Sequence, residues 1–318
     1  MKRHVLSATG LTLAAALSLT ACGGTGQADS AAPASATADA AFPRTVEHAM
    51  GETELAERPE RVVVLDTGEL DSVLSLDVTP VGAVTTDVSD GFLSYLADGA
   101  ADVEVVGTIA EPNLEAIAAL QPDLILSNKV RHEDVYGQLS QIAPTVFAER
   151  VGAVWKDNFL LAAEALGLEE EAERRLTAYE EQAAALGESL GNPAGTTVSA
   201  VRFVDGVIRV YTPESFLGTV LTDTGLDQLA LPTDRTPTFA ELSAEQLTSA
   251  DADIVLFSSY GAAEDSGEAA VVAGPLWPRL TAVGEGRAHA VEDDVFFTGI
   301  GLTAANLQLA ALREQLAG

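Results

Sequence analysis

Strand-like and helical segments alternate along this chain, and the alternation runs twice, on either side of one long helical pattern. In the first half, Arg61-Val62-Val63-Val64-Leu65 is a short apolar, β-branched run and reads as a buried strand. A helical stretch over Glu69 to Leu76 follows, then a strand at Pro80 to Val84 and a helix near Gly91 to Ala97. Next come a strand at Val103 to Val106, a helix from Asn113 to Leu120 and a strand at Asp123 to Leu126. A helix from Glu133 to Ile142 and a strand at Thr145 to Phe147 close the half. Such alternation with short connections implies a parallel-rich α/β sheet. The long helical pattern runs from Trp155 to Leu166, is interrupted at Gly167, continues from Leu168 to Leu190 and ends at Gly191-Asn192-Pro193. The second half has strands at Thr197 to Phe203, Val207 to Tyr211, Asp253 to Phe257 and Arg287 to Val291. Its helices fall at Ser215 to Asp223, Ala244 to Ser249 and Thr303 to Leu316.

The halves echo each other. Asn113-Leu114-Glu115-Ala116-Ile117 leads, eight residues after the glutamate, to Asp123-Leu124-Ile125-Leu126. Ser243-Ala244-Glu245-Gln246-Leu247 leads, at the same spacing, to Asp253-Ile254-Val255-Leu256. Each copy is a helix N-cap candidate, a glutamate in the first turn, and an apolar strand opened by aspartate. The expected fold is therefore α/β: two Rossmann-like lobes, 44–150 and 193–318, joined by a single long α-helix within the linking segment 151–192. A ligand would sit between the lobes, where loops at the carboxyl ends of parallel strands converge.

The start of the chain is of a different kind. Lys2, Arg3 and His4 precede an apolar run from Val5 to Leu19. Its 15 residues fall short of the roughly 20 needed to span a bilayer core. Residues 1–21 thus read as a signal peptide. Leu19-Thr20-Ala21-Cys22 resembles the lipobox of bacterial lipoproteins, and Cys22 is the only cysteine in the chain. That resemblance implies cleavage before Cys22, lipid on its sulfur, and an extracytoplasmic protein anchored to the cell membrane. An ordinary cleaved signal with a chance cysteine is the plainer reading. Residues 22–43 hold almost no large apolar side chain and read as a flexible tether. The formal charge of −31 argues against nucleic acid as a partner, because phosphate backbones need basic surface.

From about Arg44 onward the chain resembles the periplasmic binding proteins of ABC importers for ferric siderophores, haem and cobalamin. The stretches that carry the likeness are Arg58-Pro59-Glu60 running into Arg61 to Asp66, Glu111-Pro112-Asn113 running into Leu114 to Ile117, and Leu120-Gln121-Pro122-Asp123. Later come Tyr211-Thr212-Pro213-Glu214-Ser215-Phe216, Leu276-Trp277 and Gly286 to Val291. The resemblance implies limited hinge motion, capture of a ferric siderophore and delivery to an ABC permease dimer with its ATPase. It also implies no intrinsic cofactor and a monomer as the binding unit. In this family one surface glutamate per lobe meets arginines of the permease, which carries over to Glu115 and Glu245. The helix dipole alone also favours glutamate in a first turn.

For the cargo site, Arg202 breaks the apolar run Val198 to Phe203 and could donate to siderophore oxygens. Arg209 and Tyr211 lie two apart on one strand and share a face, and Tyr211 can both stack and hydrogen-bond. Tyr260 follows a strand end. Trp277, Phe296 and Phe297 fall in late loops, and Lys129 and Arg131 are the bases on strand-end loops of the first half. These eight residues, with Arg209 set aside, are the candidate ligand contacts. Haem and cobalamin stay open as cargoes. A zinc or manganese site is disfavoured, since only His48, His132 and His289 follow the leader and no two lie at ligand spacing. A secreted enzyme is disfavoured too: no nucleophile elbow, His-Glu-x-x-His helix, P-loop or dinucleotide fingerprint occurs, so neither catalytic nor metal-ligating residues are assigned.

Overall fold

The computed structural model describes residues 42–316 except 90, 192 and 235. The expected signal peptide, Cys22 and the expected tether up to residue 41 lie outside the described residues. Two sheets organise the rest. The first is five-stranded and wholly parallel, in the order β5(Glu104–Thr108)-β4(Gly82–Thr85)-β3(Val62–Val64)-β6(Leu124–Asn128)-β7(Thr145–Ala148). The second runs β11(Phe239–Leu242)-β9(Val207–Tyr211)-β8(Thr197–Val204)-β12(Ile254–Ser259)-β13(Ala288–Ala290), and the short β10(Asp227–Gln228) pairs with the start of β8. It is mixed: β9 is antiparallel to both β8 and β11, whereas β12, β13 and β10 join through parallel pairs. A polar ribbon, β1(Arg44–His48) paired with β2(Gly51–Leu55), precedes the first sheet. The sequence pattern does not mark it, because its buried apolar residues are few, Val46 and Leu55.

Strand alternation sorts side chains to two faces. Val63, Ile125 and Phe147 join an outer core of the first lobe, and Val201, Phe203, Ile208 and Val255 one of the second. Their neighbours Val62, Val64, Leu124 and Leu126, with Val198, Ala200, Ile254 and Leu256, belong to one continuous core that runs through both lobes. The helices filling it are α1(Thr67–Leu74), α3(Trp155–Leu166), α4(Glu169–Ser189), α5(Phe216–Asp223) and α6(Leu302–Leu316); α2(Leu114–Ala119) covers the outer face of the first sheet. The linking segment is two helices, with the 21-residue α4 the long one. Gly167, at φ +67°, ends α3 in a left-handed C-cap. At the seam Trp155 of α3 meets Tyr179 of α4 and Phe216 of α5 edge-on, at 5.2 and 5.6 Å. The Trp155 indole N–H donates to Thr219 Oγ1 (2.9 Å), and the Tyr179 hydroxyl donates to Asp223 (2.8 Å).

Two helix expectations need correction. The expected helix near Gly91 to Ala97 is absent and residues 94–100 form turns: Gly91 precedes the segment, Gly99 interrupts it, and the Ser94 N–H donates outward to Asp294 Oδ2 (2.8 Å). The expected helix over 133–142 is a 3₁₀ turn, Glu133–Val135, and one short helix, Tyr136–Leu139.

The echo is structural. Asp123, opening β6, accepts the backbone N–H groups of Glu60 and Arg61 beside β3 (2.8 and 2.9 Å), and Asp253, before β12, accepts that of Thr197 at the start of β8 (2.9 Å). Each aspartate thus caps the strand beside its own, so β3 and β6 correspond to β8 and β12.

Where α4 reaches the second lobe, Gly187 lies so close to the end of α5 that a Cβ there would stand 2.2 Å from the Thr224 carbonyl oxygen. Gly187→Ala should therefore destabilise the fold by about 1–3 kcal/mol, although alanine is the better helix former. The midpoint of urea unfolding measures it.

Candidate functional site

Each sheet reverses its strand order once. In the first, the chain builds outward from β3 through β4 to β5, then returns to the other side with β6 and β7. In the second, β8 has β9 and β11 on one side and β12 and β13 on the other. Ligand crevices form at such switch points, outside the carboxyl ends of the strands. A cavity of about 400 Å³ lies there between the lobes. Its first-lobe wall carries Asp66 after β3, Thr86 and Asp87 after β4, Ile109 after β5 and Arg131 after β6. Its second-lobe wall carries Arg202, Arg209, Tyr211, Phe239, Tyr260 and the stretch Phe296 to Thr298.

Register explains the second wall. Arg202 of β8 stands directly opposite Arg209 of β9, which stands opposite Glu241 of β11. Two residues along, Tyr211 lies opposite Ala200 and Phe239 on the same face. Arg202 is 7% exposed and firmly held. Its Nε donates to Asp293 Oδ1 (2.7 Å) and one Nη to Asp293 Oδ2 and Thr298 Oγ1; the other Nη donates to the Tyr211 hydroxyl (3.3 Å). The guanidinium lies over the Tyr260 ring at 4.4 Å, and Phe297 packs on Tyr211 with ring centroids 5.0 Å apart. Burial works against the Arg202 charge, but the Asp293 carboxylate and Tyr211 outweigh it and hold the pKa above its ordinary value. Arg209 stacks over Phe239 at 4.4 Å. The segment Asp294–Thr298 is a single π-helical turn, a form common at functional sites, and it turns Phe296 and Phe297 toward the cavity.

In the first lobe, the buried Asp66 caps α1 by accepting the Thr67 N–H (2.7 Å) and receives the Asn128 amide (3.0 Å) and Arg131 Nε (3.2 Å). Asn128 also donates to Glu69 Oε1 (3.3 Å), whereas the buried Glu69 Oε2 has no partner. Burial, then the Asp66 charge, push the Glu69 carboxyl up to about 8.

Of the sequence candidates, Arg131, Arg202, Tyr211, Tyr260, Phe296 and Phe297 come together on the cavity. Two do not. Lys129 opens the same short helix as Arg131 but points away from it, into an ion pair with Glu149 at 3.5 Å. Trp277 is core: it packs against Phe257 (4.9 Å) and Phe203 (6.4 Å) on the outer face of the second sheet. Phe203 neighbours Arg202 on β8, so the strand period puts Trp277 on the side of the sheet away from the cavity. Arg209, which the sequence marks only as a face-mate of Tyr211, also lines the cavity. Phe239 and Asp293 had no local signal, because only strand pairing and the Arg202 fork bring them in. Glu115 and Glu245 are both exposed, the first in α2 under an Asn113 cap and the second in the 3₁₀ helix Ala244–Ala250.

The raised Glu69 value has a consequence for stability. With the unfolded carboxyl near its ordinary value and the folded one near 8, the native state holds the extra proton. The stability from this group is complete below the unfolded value and is lost as pH rises through about 8. Glu69→Gln should therefore match the wild type in melting temperature at about pH 5 and exceed it at about pH 9. Thermal unfolding followed by circular dichroism at the two pH values tests this.

Residues 62–294 match the family model described as "Periplasmic binding protein". The chain is 37% identical to the "Probable siderophore-binding lipoprotein YfiY" of Bacillus subtilis (strain 168), over 97% of each chain. It is 31% identical to the "Fe(3+) dicitrate-binding periplasmic protein FecB" of Escherichia coli (strain K12), over 83% of this chain and 87% of that one. Among solved structures, Staphylococcus aureus SirA complexed with staphyloferrin B is similar with a TM-score of 0.76 and 30% identity, covering 86% of this chain and 98% of that one. Two lobes on a shared core, a crevice at paired switch points and a match over most of the chain lead to one conclusion: this protein belongs to the periplasmic binding protein family.

Proposed function

We propose that the protein is an extracytoplasmic lipoprotein that captures a ferric siderophore between its lobes and hands it to an ABC importer, without making or breaking a covalent bond in its cargo. The observation that carries this reading is the interlobe cavity, where Arg131, Arg202 and Arg209 stand beside Tyr211, Phe239, Tyr260 and Phe297. Guanidinium N–H groups suit the oxygens of a chelator, and the rings suit its flat or apolar segments. Among the described residues no group of three or more His, Cys, Asp or Glu could hold a metal. In this reading iron is recognised through the chelator that already holds it. The names of the similar proteins, siderophore-binding, Fe(3+) dicitrate-binding and complexed with staphyloferrin B, support the same class.

The test is calorimetric titration with ferric hydroxamates, ferric catecholates, ferric citrate, haem and cobalamin. At least one ferric chelate should bind at micromolar concentration or tighter, and Arg202→Ala should weaken that binding by about tenfold or more, the loss of a charge-assisted hydrogen bond. If no ferric chelate binds, the reading fails; haem or cobalamin alone would move it to that cargo.

Delivery rests on Glu115 and Glu245 as paired contacts for a basic permease surface, with anchoring through lipidated Cys22 and the monomer as the working unit. Both glutamates sit on exposed first turns at the carboxyl edges of their sheets, the edge on which the crevice opens. In cells, reversing both charges should abolish siderophore-dependent iron uptake at equal surface abundance, and Cys22→Ser should release the protein from the membrane fraction. Unchanged uptake would refute the docking role, and unchanged membrane retention the anchor.

A further inference from the structure

Every arginine on the cavity already faces a carboxylate. Arg202 and Arg209 are cross-strand neighbours, and like charges placed directly opposite repel. The row is closed at both ends by acids: Asp293 takes the Arg202 fork with both oxygens, and Glu241 lies 3.5 Å from Arg209 Nε. On the facing wall Arg131 Nε lies 3.2 Å from Asp66 Oδ2. Asp87 adds a further carboxylate to the lining. Three guanidiniums therefore stand against four carboxylates, and the crevice holds no net positive charge to spend on an anion.

Some donors remain available, one N–H of Arg202 and those of the half-exposed Arg131. Asp293, Thr298 and Tyr211 account for four of the five Arg202 N–H groups, and the Arg131 side chain is 45% exposed. A ligand of low charge can take these hydrogen bonds and pack on the Tyr211, Phe239 and Phe297 rings without bringing in uncompensated charge. A ligand with several negative charges would meet Asp66 and Asp87 at short range in a partly desolvated cleft, where such repulsion is weakly screened. The chain's own −31 opposes it at long range as well.

We infer that the crevice selects ferric chelates that are neutral or singly negative over those carrying three or more negative charges, and that Asp293 and Glu241 set this preference by neutralising Arg202 and Arg209. The inference rests on the siderophore reading above and adds the charge class of the cargo. The carboxylates act as positioning residues, orienting donors and setting charge without needing to touch the ligand.

Competition calorimetry with two probes tests it: a neutral ferric trihydroxamate and a ferric tris-catecholate bearing three negative charges, measured at low and high salt. The wild type should prefer the neutral probe by about tenfold or more, with little salt dependence for that probe. Asp293→Asn and Glu241→Gln should each shift the ratio toward the trianionic probe by about tenfold, and the shift should shrink in salt. A purely structural role would weaken both probes alike. Glu241→Gln alters a half-buried edge pair and keeps the test open if Asp293→Asn does not fold. A wild-type preference for the trianionic probe, or a ratio unmoved in the folded variants, overturns the inference. Failure of every ferric chelate to bind overturns the siderophore reading instead.

Discussion

The buried carboxylate of Asp71 ties the two ends of the domain together. It projects from α1 in the first lobe and accepts the backbone N–H groups of Thr303 and Ala304, in the first turn of α6, at 2.9 and 3.0 Å. The Tyr95 hydroxyl donates to it as well, at 3.1 Å. A helix N-terminus carries unsatisfied donors and partial positive charge, so a carboxylate there is favoured even in the interior. Burial still pushes Asp71 up to about 6, and the N–H groups of Thr303 and Ala304, with Tyr95, pull against that rise. The last helix of the chain is thus held by a residue near its start, and the two lobes share one core.

That arrangement positions the crevice. The stretch before α6 is the π-turn that aims Phe296 and Phe297 at the cavity and places Thr298 on Arg202. Its leading residues split their duties: Asp293 binds Arg202 within the second lobe, and Asp294 accepts the Ser94 N–H of the first. The partner of the cavity-lining Arg202 and the acceptor at the interlobe seam are therefore adjacent in the chain. The continuous core beneath runs through both lobes, with Trp155, Tyr179 and Phe216 packed edge-on within it.

Much of this was readable in advance because it is written in local chemistry. β-branched runs such as Val62 to Val64 can do little but form buried strands, and Gly167 and Gly191-Asn192-Pro193 punctuate the helices between the lobes. Arg202 stood out because a charge inside an apolar run requires a partner. Lys129 and Trp277 lie off the cavity for one reason: residue type and proximity to a strand end do not set direction, and neighbours on a short helix or on opposite faces of a strand point to different places. The ribbon over Arg44 to Leu55 and the edge strand β11 exist through pairing rather than propensity, and a polar sequence does not announce them.

Residue order by itself determined the doubled α/β plan, the related glutamate and aspartate positions, and the acidity that any anionic ligand must face. Those follow from periodicity, capping and composition, which act over a few residues or over the whole chain. Tertiary structure decided which arginines share a cavity and which acids neutralise them. Arg202 lies 91 residues from Asp293, and Arg209 meets Glu241 only through strand register. Electrostatics depends on distance in space, and over such separations only the fold sets that distance.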